Sequence, residues 1–360
     1  MLKDAVPLGE IAHALVVMLR HHGDVLLASP VAAALKAHAP RAEIDALVYD
    51  DTLPMLEGHP ALSRLHAVGR NWKKEAFLSR IALEERLYST LRARRYDLLV
   101  HLTEQPRGAW LARSLGARYS VAPVVAGRRA FWKGSFTHLY PLARNGRRHK
   151  VEANLDALRR IGLQPGIEER RPQFVPGAAA EARVASLLAA EGLAERSFIH
   201  IHPASRWSFK CWPADRNAEL IDRLASAHRV VITAAPEPAE LSLVGEILSK
   251  TTSNPVNLAG KLSIKELGAL TARARLFVGV DSMPMHLAAA MGTPAVALFG
   301  PSGEQEWRPW RVAHRVVATN HPCRPCGNDG CGGGKISECL TTLGVDSVYA
   351  AAQELLSRER

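Results

Sequence analysis

The sequence predicts an α/β protein built from two halves, each a parallel sheet covered by helices. Short apolar runs of strand length alternate with stretches of helical periodicity along the chain. Its 360 residues amount to about twice one ordinary domain. An aperiodic segment, RRPQFVPGAAA (170–180), carries Pro172, Pro176 and Gly177 and divides the alternation in two. The expected division is a first domain over residues 1–172, a second over 173–345, and a closing helix over 346–360.

In the first half, ALVVML (14–19) reads as a strand, and after Gly23 the stretch VLLASPVAAALKAH (25–38) has the three- and four-residue spacing of a helix. IDALVY (44–49) is the next strand, Ala76 to Arg94 a long helix, and DLLVHL (97–102) another strand. Strand, helix, strand in that order implies parallel pairing. The second half repeats it. FIHIH (198–202) is a strand, and WPADRNAELIDRLA (212–225) is a helix with Pro213 in its first turn, where a missing N–H costs nothing. RVVIT (229–233), VNLAG (256–260), LFVGV (276–280) and AVALFG (295–300) are strands. Helices follow Pro236 and occupy SIKELGALTARA (263–274), MPMHLAAAM (283–291) and Asp346 to Ser357. Two such halves are expected to leave a cleft between them, with ligands at the carboxyl ends of the strands.

Apolar residues make up 47% and charged residues 22%, with a mean hydropathy of −0.06, which excludes a disordered or collagen-like chain. No run of eighteen apolar residues appears, so no membrane span is expected. Asp4 and Glu10 interrupt what would be the apolar core of a signal peptide, so a cytoplasmic location with mostly reduced cysteines is expected. Charge is unevenly spread. Residues 1–180 hold 27 Lys and Arg against 17 Asp and Glu, while residues 181–360 hold 19 against 18. Between Gln105 and Val151 stand Arg107, Arg113, Arg118, Arg128, Arg129, Lys133, Arg144, Arg147, Arg148 and Lys150, with no acidic residue. Such a field attracts an anion: nucleic acid, an anionic membrane or a phosphorylated substrate. A solvated basic face with no partner is the plainer alternative.

Three strand ends carry candidate chemistry. In LFVGVDSMPMHLAAAMGTPAVALFGP (276–301), a buried strand turns through Asp281 and Ser282 into a helix, whose first N–H groups and dipole make an anion site. His286 can add a donor there. Asp281 and Ser282 read equally as simple N-caps. The loop HPASRWSFKCWP (202–213) offers Ser205, Arg206 and Lys210, the lysine a point charge for a phosphate or only a solvated side chain. In RHHGDV (20–25), Gly23 permits close approach, and Asp24 is either an N-cap or a carboxylate placed to take a proton from a hydroxyl. Near the end of the chain, Cys323, Cys326, Cys331 and Cys339 are spaced as in a structural tetrahedral zinc or iron site, with disulfides or free thiols as alternatives. Cys211 reads as a packing residue.

Together these segments resemble the ADP-heptose:lipopolysaccharide heptosyltransferases of glycosyltransferase family 9, most of all the core heptosyltransferase III branch. The likeness runs through MLRHHGDVLLASPV (18–31), LVYDDTLPML (47–56), RYDLLVHLT (95–103), FWKGSFTHL (131–139), FKCWP (209–213), GVDSMPMHLAAA (279–290) and WRPW (307–310). It implies a GT-B type fold, two Rossmann-like domains facing each other across a cleft, and inverting transfer of heptose from ADP-L-glycero-β-D-manno-heptose without a metal or other cofactor. On this resemblance Asp24 is the general base. Lys210 neutralises the donor diphosphate, Asp281, Ser282 and His286 belong to the donor-binding loop, Ser205 is a further donor-binding residue, Glu237 or Glu240 contacts the donor, and Leu258 and Gly260 line its adenine pocket. Arg20, His22, Arg107 and Lys133 are expected on the acceptor side, which faces a phosphorylated lipid A–core at the inner face of the inner membrane. Met283 stands where the family usually has Gly or Ala. No nucleic-acid partner is expected. Another GT-B glycosyltransferase, a sugar-nucleotide epimerase, and a non-enzymatic anion-binding protein remain alternatives.

Overall fold

The structure, a computed structural model, describes residues 4–127, 130–142 and 148–358. Of the basic stretch, Arg128, Arg129, Arg144 and Arg147 lie outside the described residues. The chain forms two compact units, Met1–Val175 and Pro176–Arg360.

The first unit has six parallel strands: β1 (His13–Val17), β2 (Glu43–Tyr49), β3 (Arg64–Val68), β4 (Leu98–His101), β5 (Tyr119–Pro123) and β6 (His138–Tyr140). They lie in the order β3-β2-β1-β4-β5-β6. The helices are α1 (His22–His38), α2 (Phe77–Ala93), α3 (Arg107–Leu115), α4 (Ala130–Lys133) and α5 (Lys150–Arg160). β1 and β4 are apolar because helices cover them, and Leu15, Val17, Leu99, Leu111 and Ala122 join one buried cluster. Pro30 sits inside α1 and cannot donate to the carbonyl of Leu26. The Ser29 hydroxyl donates to that oxygen instead, at 2.7 Å.

A polar cluster closes the opposite edge of this sheet. The buried Asp45 carboxylate accepts from Arg94 Nε at 2.8 Å and Tyr96 Oη at 2.7 Å, and lies 3.2 Å from His66 Nε2. Burial alone would raise its pKa, but these three partners outweigh burial and hold it at about 2.

The second unit repeats the plan with β7 (Phe198–His202), β8 (Arg229–Ile232), β9 (Val256–Asn257), β10 (Leu276–Val280), β11 (Ala295–Leu298) and β12 (His314–Val317). Its order, β12-β11-β10-β7-β8-β9, is the first sheet's order read from the other side. Around it lie α6 (Ala178–Ala190), α7 (Ala214–Ala225), α8 (Pro238–Lys250), α9 (Ile264–Arg273), α10 (Met283–Ala290), α11 (Glu304–Trp307), α12 (Glu338–Thr341) and α13 (Val345–Ser357). The closing helix α13 joins this unit's core through Val348, Ala352, Leu355 and Leu356. Gly279 in β10 is required by close approach: a Cβ there would stand 2.8 Å from the His202 carbonyl oxygen on β7.

Several sequence expectations need correction. β3, β5, β6 and β12 were not anticipated. The helix expected from residue 25 begins at His22, and Pro213 is the N-cap of α7 rather than part of its first turn. The strand expected over 256–260 ends at Asn257, because the chain turns at Gly260 with φ +71°.

Candidate active site

In both units the strand order reverses between the first and fourth strands, β1 with β4 and β7 with β10, and ligands of such sheets sit outside the carboxyl ends at that point. The second unit's crevice is bridged by charge. Lys210 follows β7 on a tight turn (Ser208–Lys210), and its Nζ donates to Asp281 Oδ2 at 2.6 Å, directly after β10. Asp281 is buried and the Lys210 side chain is about one-fifth exposed. Asp281 is therefore no N-cap. Ser282 occupies the N-cap position of α10, yet its side chain caps nothing and lies 3.4 Å from the Val280 carbonyl oxygen. No side chain caps the first turn of α10, in which Pro284 has no N–H and Met285 donates to Ser282 O at 3.2 Å. His286, on that turn's inner side, is buried, with its ring centroid 6.2 Å from that of Trp307.

The loop ends around this crevice are held from behind. Thr233 Oγ1 lies 2.7 Å from His200 Nε2 and 2.8 Å from His202 Nδ1, and Thr271 Oγ1 lies 3.1 Å from His200 Nδ1. Burial pushes both histidines down to about 3, so the network is neutral. Ser205 is buried and accepts from the Trp207 amide at 3.2 Å, which shapes the loop carrying Lys210. Glu240 is buried too, its pKa raised by that burial against the opposing bond from the Ala235 amide at 2.9 Å. Glu237 stands exposed at the N-cap of α8. Leu258 and Gly260 hydrogen-bond to Ile232 and Ala234, placing their turn beside the end of β8. Arg324, unanticipated from sequence, donates to Gly300 O at 2.7 Å and Thr319 O at 2.9 Å and meets Glu304 at 3.0 Å. Cys211 is half-buried, its thiol 3.8 Å from Ser205 O and pushed up to about 11 by burial.

In the first unit, Asp24 is the third residue of α1, not its N-cap, and it is buried. Arg20 Nε lies 3.2 Å from Asp24 Oδ1, but off hydrogen-bond alignment, so among the described residues that oxygen accepts no hydrogen bond. The turn itself is clamped from three neighbouring strand ends. Gln105 donates to Leu19 O at 2.7 Å, Arg70 donates to Arg20 O at 3.0 Å, and His22 Nε2 lies 2.8 Å from Asp51 O. Arg70 also meets Asp51 Oδ2 at 2.7 Å and stacks 4.1 Å over the Tyr49 ring. Arg70 and Gln105 left no local signal in the sequence, since each reaches this turn from a distant element. Of the expected acceptor residues, Arg107 is held by both oxygens of Glu84 at 2.5 Å, and Lys133 is exposed at the end of α4.

The metal site expected from the cysteine spacing is not assembled. Cys323, Cys326 and Cys331 are exposed and Cys339 is buried. Cys331 Sγ accepts from the Glu338 amide at 3.4 Å, and Cys323 Sγ lies 3.2 Å from His321 Nδ1. The thiols are close enough to act on one another: burial first, and then Cys331, Cys323 and Cys326, push Cys339 upward against Arg324. Even so, among the described residues no group of three or more His, Cys, Asp or Glu is arranged to hold an ion. Among them, too, no helix is long and apolar enough to cross a membrane.

Residues 85–336 match the family model for glycosyltransferase family 9 (heptosyltransferase). Lipopolysaccharide heptosyltransferase 3 of Escherichia coli K12 is 38% identical over 347 residues, covering 95% of this chain and 97% of its own. Among solved structures, a family 9 glycosyl transferase from Veillonella parvula superposes with a TM-score of 0.83 at 21% identity, covering 99% of this chain and 100% of its own. The E. coli ADP-heptose lps heptosyltransferase II does so with a TM-score of 0.75 at 22% identity, covering 96% and 99%. The paired Rossmann-like sheets are thus those of the GT-B fold, and the chain belongs to glycosyltransferase family 9, the heptosyltransferases.

Proposed function

We propose that this glycosyltransferase moves a heptose from ADP-L-glycero-β-D-manno-heptose onto a heptose of the lipopolysaccharide inner core, with inversion, as the likeness to lipopolysaccharide heptosyltransferase 3 suggests. The observation that carries the reading is the Lys210–Asp281 pair, 2.6 Å long, at the reversal of strand order beside the open first turn of α10. That is the chemistry of a diphosphate site: one ammonium, a helix N-terminus and a buried imidazole from His286. Ser205 and Ser282 complete its polar rim, Glu237 serves the donor ribose side, and Leu258 and Gly260 lie on the adenine side. Glu240 keeps the loop in shape.

Asp24 acts as the general base. Its carboxylate takes the proton of the acceptor hydroxyl as the hydroxyl oxygen attacks the anomeric carbon. The bond to the diphosphate breaks on the opposite face, its electron pair leaves with ADP, and Lys210, His286 and the helix N-terminus stabilise the growing charge. Arg20, beside Asp24, and the exposed Lys133 make the acceptor side cationic, with His22 and the Glu84-paired Arg107 as further donors, which suits a phosphorylated lipid A–core presented at the inner face of the inner membrane. The test is transfer by the purified protein from ADP-heptose, compared with UDP- and GDP-sugars, onto defined core acceptors, read by product mass. A heptose increment from ADP-heptose is expected. Transfer from another sugar nucleotide would make the chain a different GT-B glycosyltransferase.

A further inference from the structure

α2 is a seventeen-residue helix that buries only Leu87 and Leu91, both in its second half. Ion pairs hold its middle and second half: Glu84 with Arg107 and Glu85 with Arg92, the latter at 3.5 Å, while Arg92 Nη2 also donates to Ser114 Oγ at 2.7 Å. The first turns carry large apolar side chains turned to solvent. Phe77 is 66% exposed, Leu78 77% and Ile81 49%. Ile81 lines a groove of about 640 Å³ whose far wall is Trp110 on α3, itself 60% exposed. The Trp110 ring lies 4.8 Å from that of Phe131 on α4, so exposed apolar side chains of three helices form a strip divided by this groove, whose walls also carry Arg80, Glu84, Glu85, Arg92 and Arg113. Single exposed apolar residues are ordinary, but several large ones on neighbouring helices mark a contact surface.

We propose that this strip is a docking surface for an anionic lipid bilayer. Charge complementarity selects that occupant. Lys73, Lys74, Arg80 and Arg113 surround the strip, all four exposed. The Arg113 guanidinium lies 4.6 Å over the Phe131 ring and that of Arg80 5.7 Å from the Phe77 ring. Cations laid on rings at the border of an apolar strip match an interface where hydrocarbon meets anionic headgroups. Of the nearby carboxylates, Glu84 and the exposed Glu85 are paired with arginines, and Glu75 adds an exposed negative charge beside Lys74. The strip also has the right place in the unit. α2 and α3 begin where the chain leaves the carboxyl ends of β3 and β4, the same edge of the sheet that carries Asp24. Docking there would bring that edge to a lipid-anchored acceptor, the only clause that rests on the proposed transfer.

The test is co-sedimentation of the full chain with phosphatidylethanolamine vesicles containing phosphatidylglycerol, and with neutral phosphatidylcholine vesicles. Binding to the anionic vesicles, weakened by salt and with a blue shift of tryptophan emission, is expected. The triple variant Phe77→Ser, Leu78→Ser, Ile81→Ser should lose about tenfold or more of that partition, and Arg80→Glu with Arg113→Glu should lose a comparable share. Transfer to a water-soluble, deacylated core acceptor should stay unchanged in the triple variant, whose three positions are exposed, and fall only with vesicle-embedded acceptor. Equal binding of parent and variant, or no binding by the parent, overturns the proposal. So does a change in sedimentation velocity on substitution without a change in vesicle binding, which would assign the strip to a second copy of the chain. Absence of any transfer with vesicle binding intact would instead overturn the proposed reaction and leave the docking surface standing.

Discussion

At Asp24 the sequence left two roles open, and local geometry separates them. A capping carboxylate accepts from the backbone of its own first turn, whereas Asp24 stands at the third helical position with one oxygen accepting nothing among the described residues. Asp24→Asn should therefore keep the melting temperature and hold donor affinity within a few-fold, while turnover falls by about 10²–10⁴, the usual span for loss of a general base. Steady-state kinetics with calorimetry decides it; near-normal turnover would return Asp24 to a structural role. Lys210 and Asp281 act as one unit, because removing either leaves the other's charge unmatched at a crevice. Lys210→Ala and Asp281→Ala should each weaken ADP-heptose binding by about tenfold or more, and the double variant should lose less than the two effects combined. Unchanged affinity in both single variants, measured by calorimetry, would move the donor site elsewhere.

Elements differ in how plainly the sequence declares them. β10 and β11 are buried on both faces and so are continuous apolar runs that stand out, and β1, β4 and β7 are apolar but for their histidines. β3 was missed because Arg64 and His66 interrupt it, β5 because it ends in Pro123, β6 because it has three residues, and β12 because His314 and Arg315 open it. All are edge strands or their neighbours, where one face needs no apolar cover. The site was legible at Lys210, Asp281 and Asp24, which stand where strands end. Arg70, Gln105 and Arg324 were not, since a clamp that reaches across a sheet has no spacing in its own segment. The cysteines show the reverse limit: their spacing is local, but convergence on an ion depends on how the loop lies. Burial of polar groups in elements also has a measurable outcome. His59 and His101 are pushed down to about 4 and His200 and His202 to about 3, all chiefly by burial. Their folded forms resist protonation, so the stability they contribute is full above about pH 6.5 and is lost as pH falls below it. Asp45, held at about 2, contributes stability above about pH 3.9 that is lost as pH falls towards 2. Urea midpoints should decline below about pH 6.5 in two stages, and Asp45→Asn should remove only the lower one. A flat profile between neutral pH and pH 4 would contradict the buried neutral histidines.

Across the whole molecule, one strand plan is used twice, with the chemistry of each unit at the same seam. The basic excess belongs to one use of it and the proposed diphosphate crevice to the other, so on the proposed reading acceptor and donor are bound by separate cores. The seam has a consequence for how the chain acquires activity. β1 finds β4 only after β2 and β3 have been made and placed, with Ala14 opposite Leu98, and β7 finds β10 with Ile199 opposite Leu276. These central pairings close the longest loops in each sheet, and loop-closure entropy makes such contacts late. Helix-scale and strand–helix–strand order can precede them, but Lys210 cannot meet Asp281, nor Gln105 the carbonyl of Leu19, until the register of the seam is fixed. Competence for a ligand at either seam therefore arrives only with the longest-range contacts of its sheet.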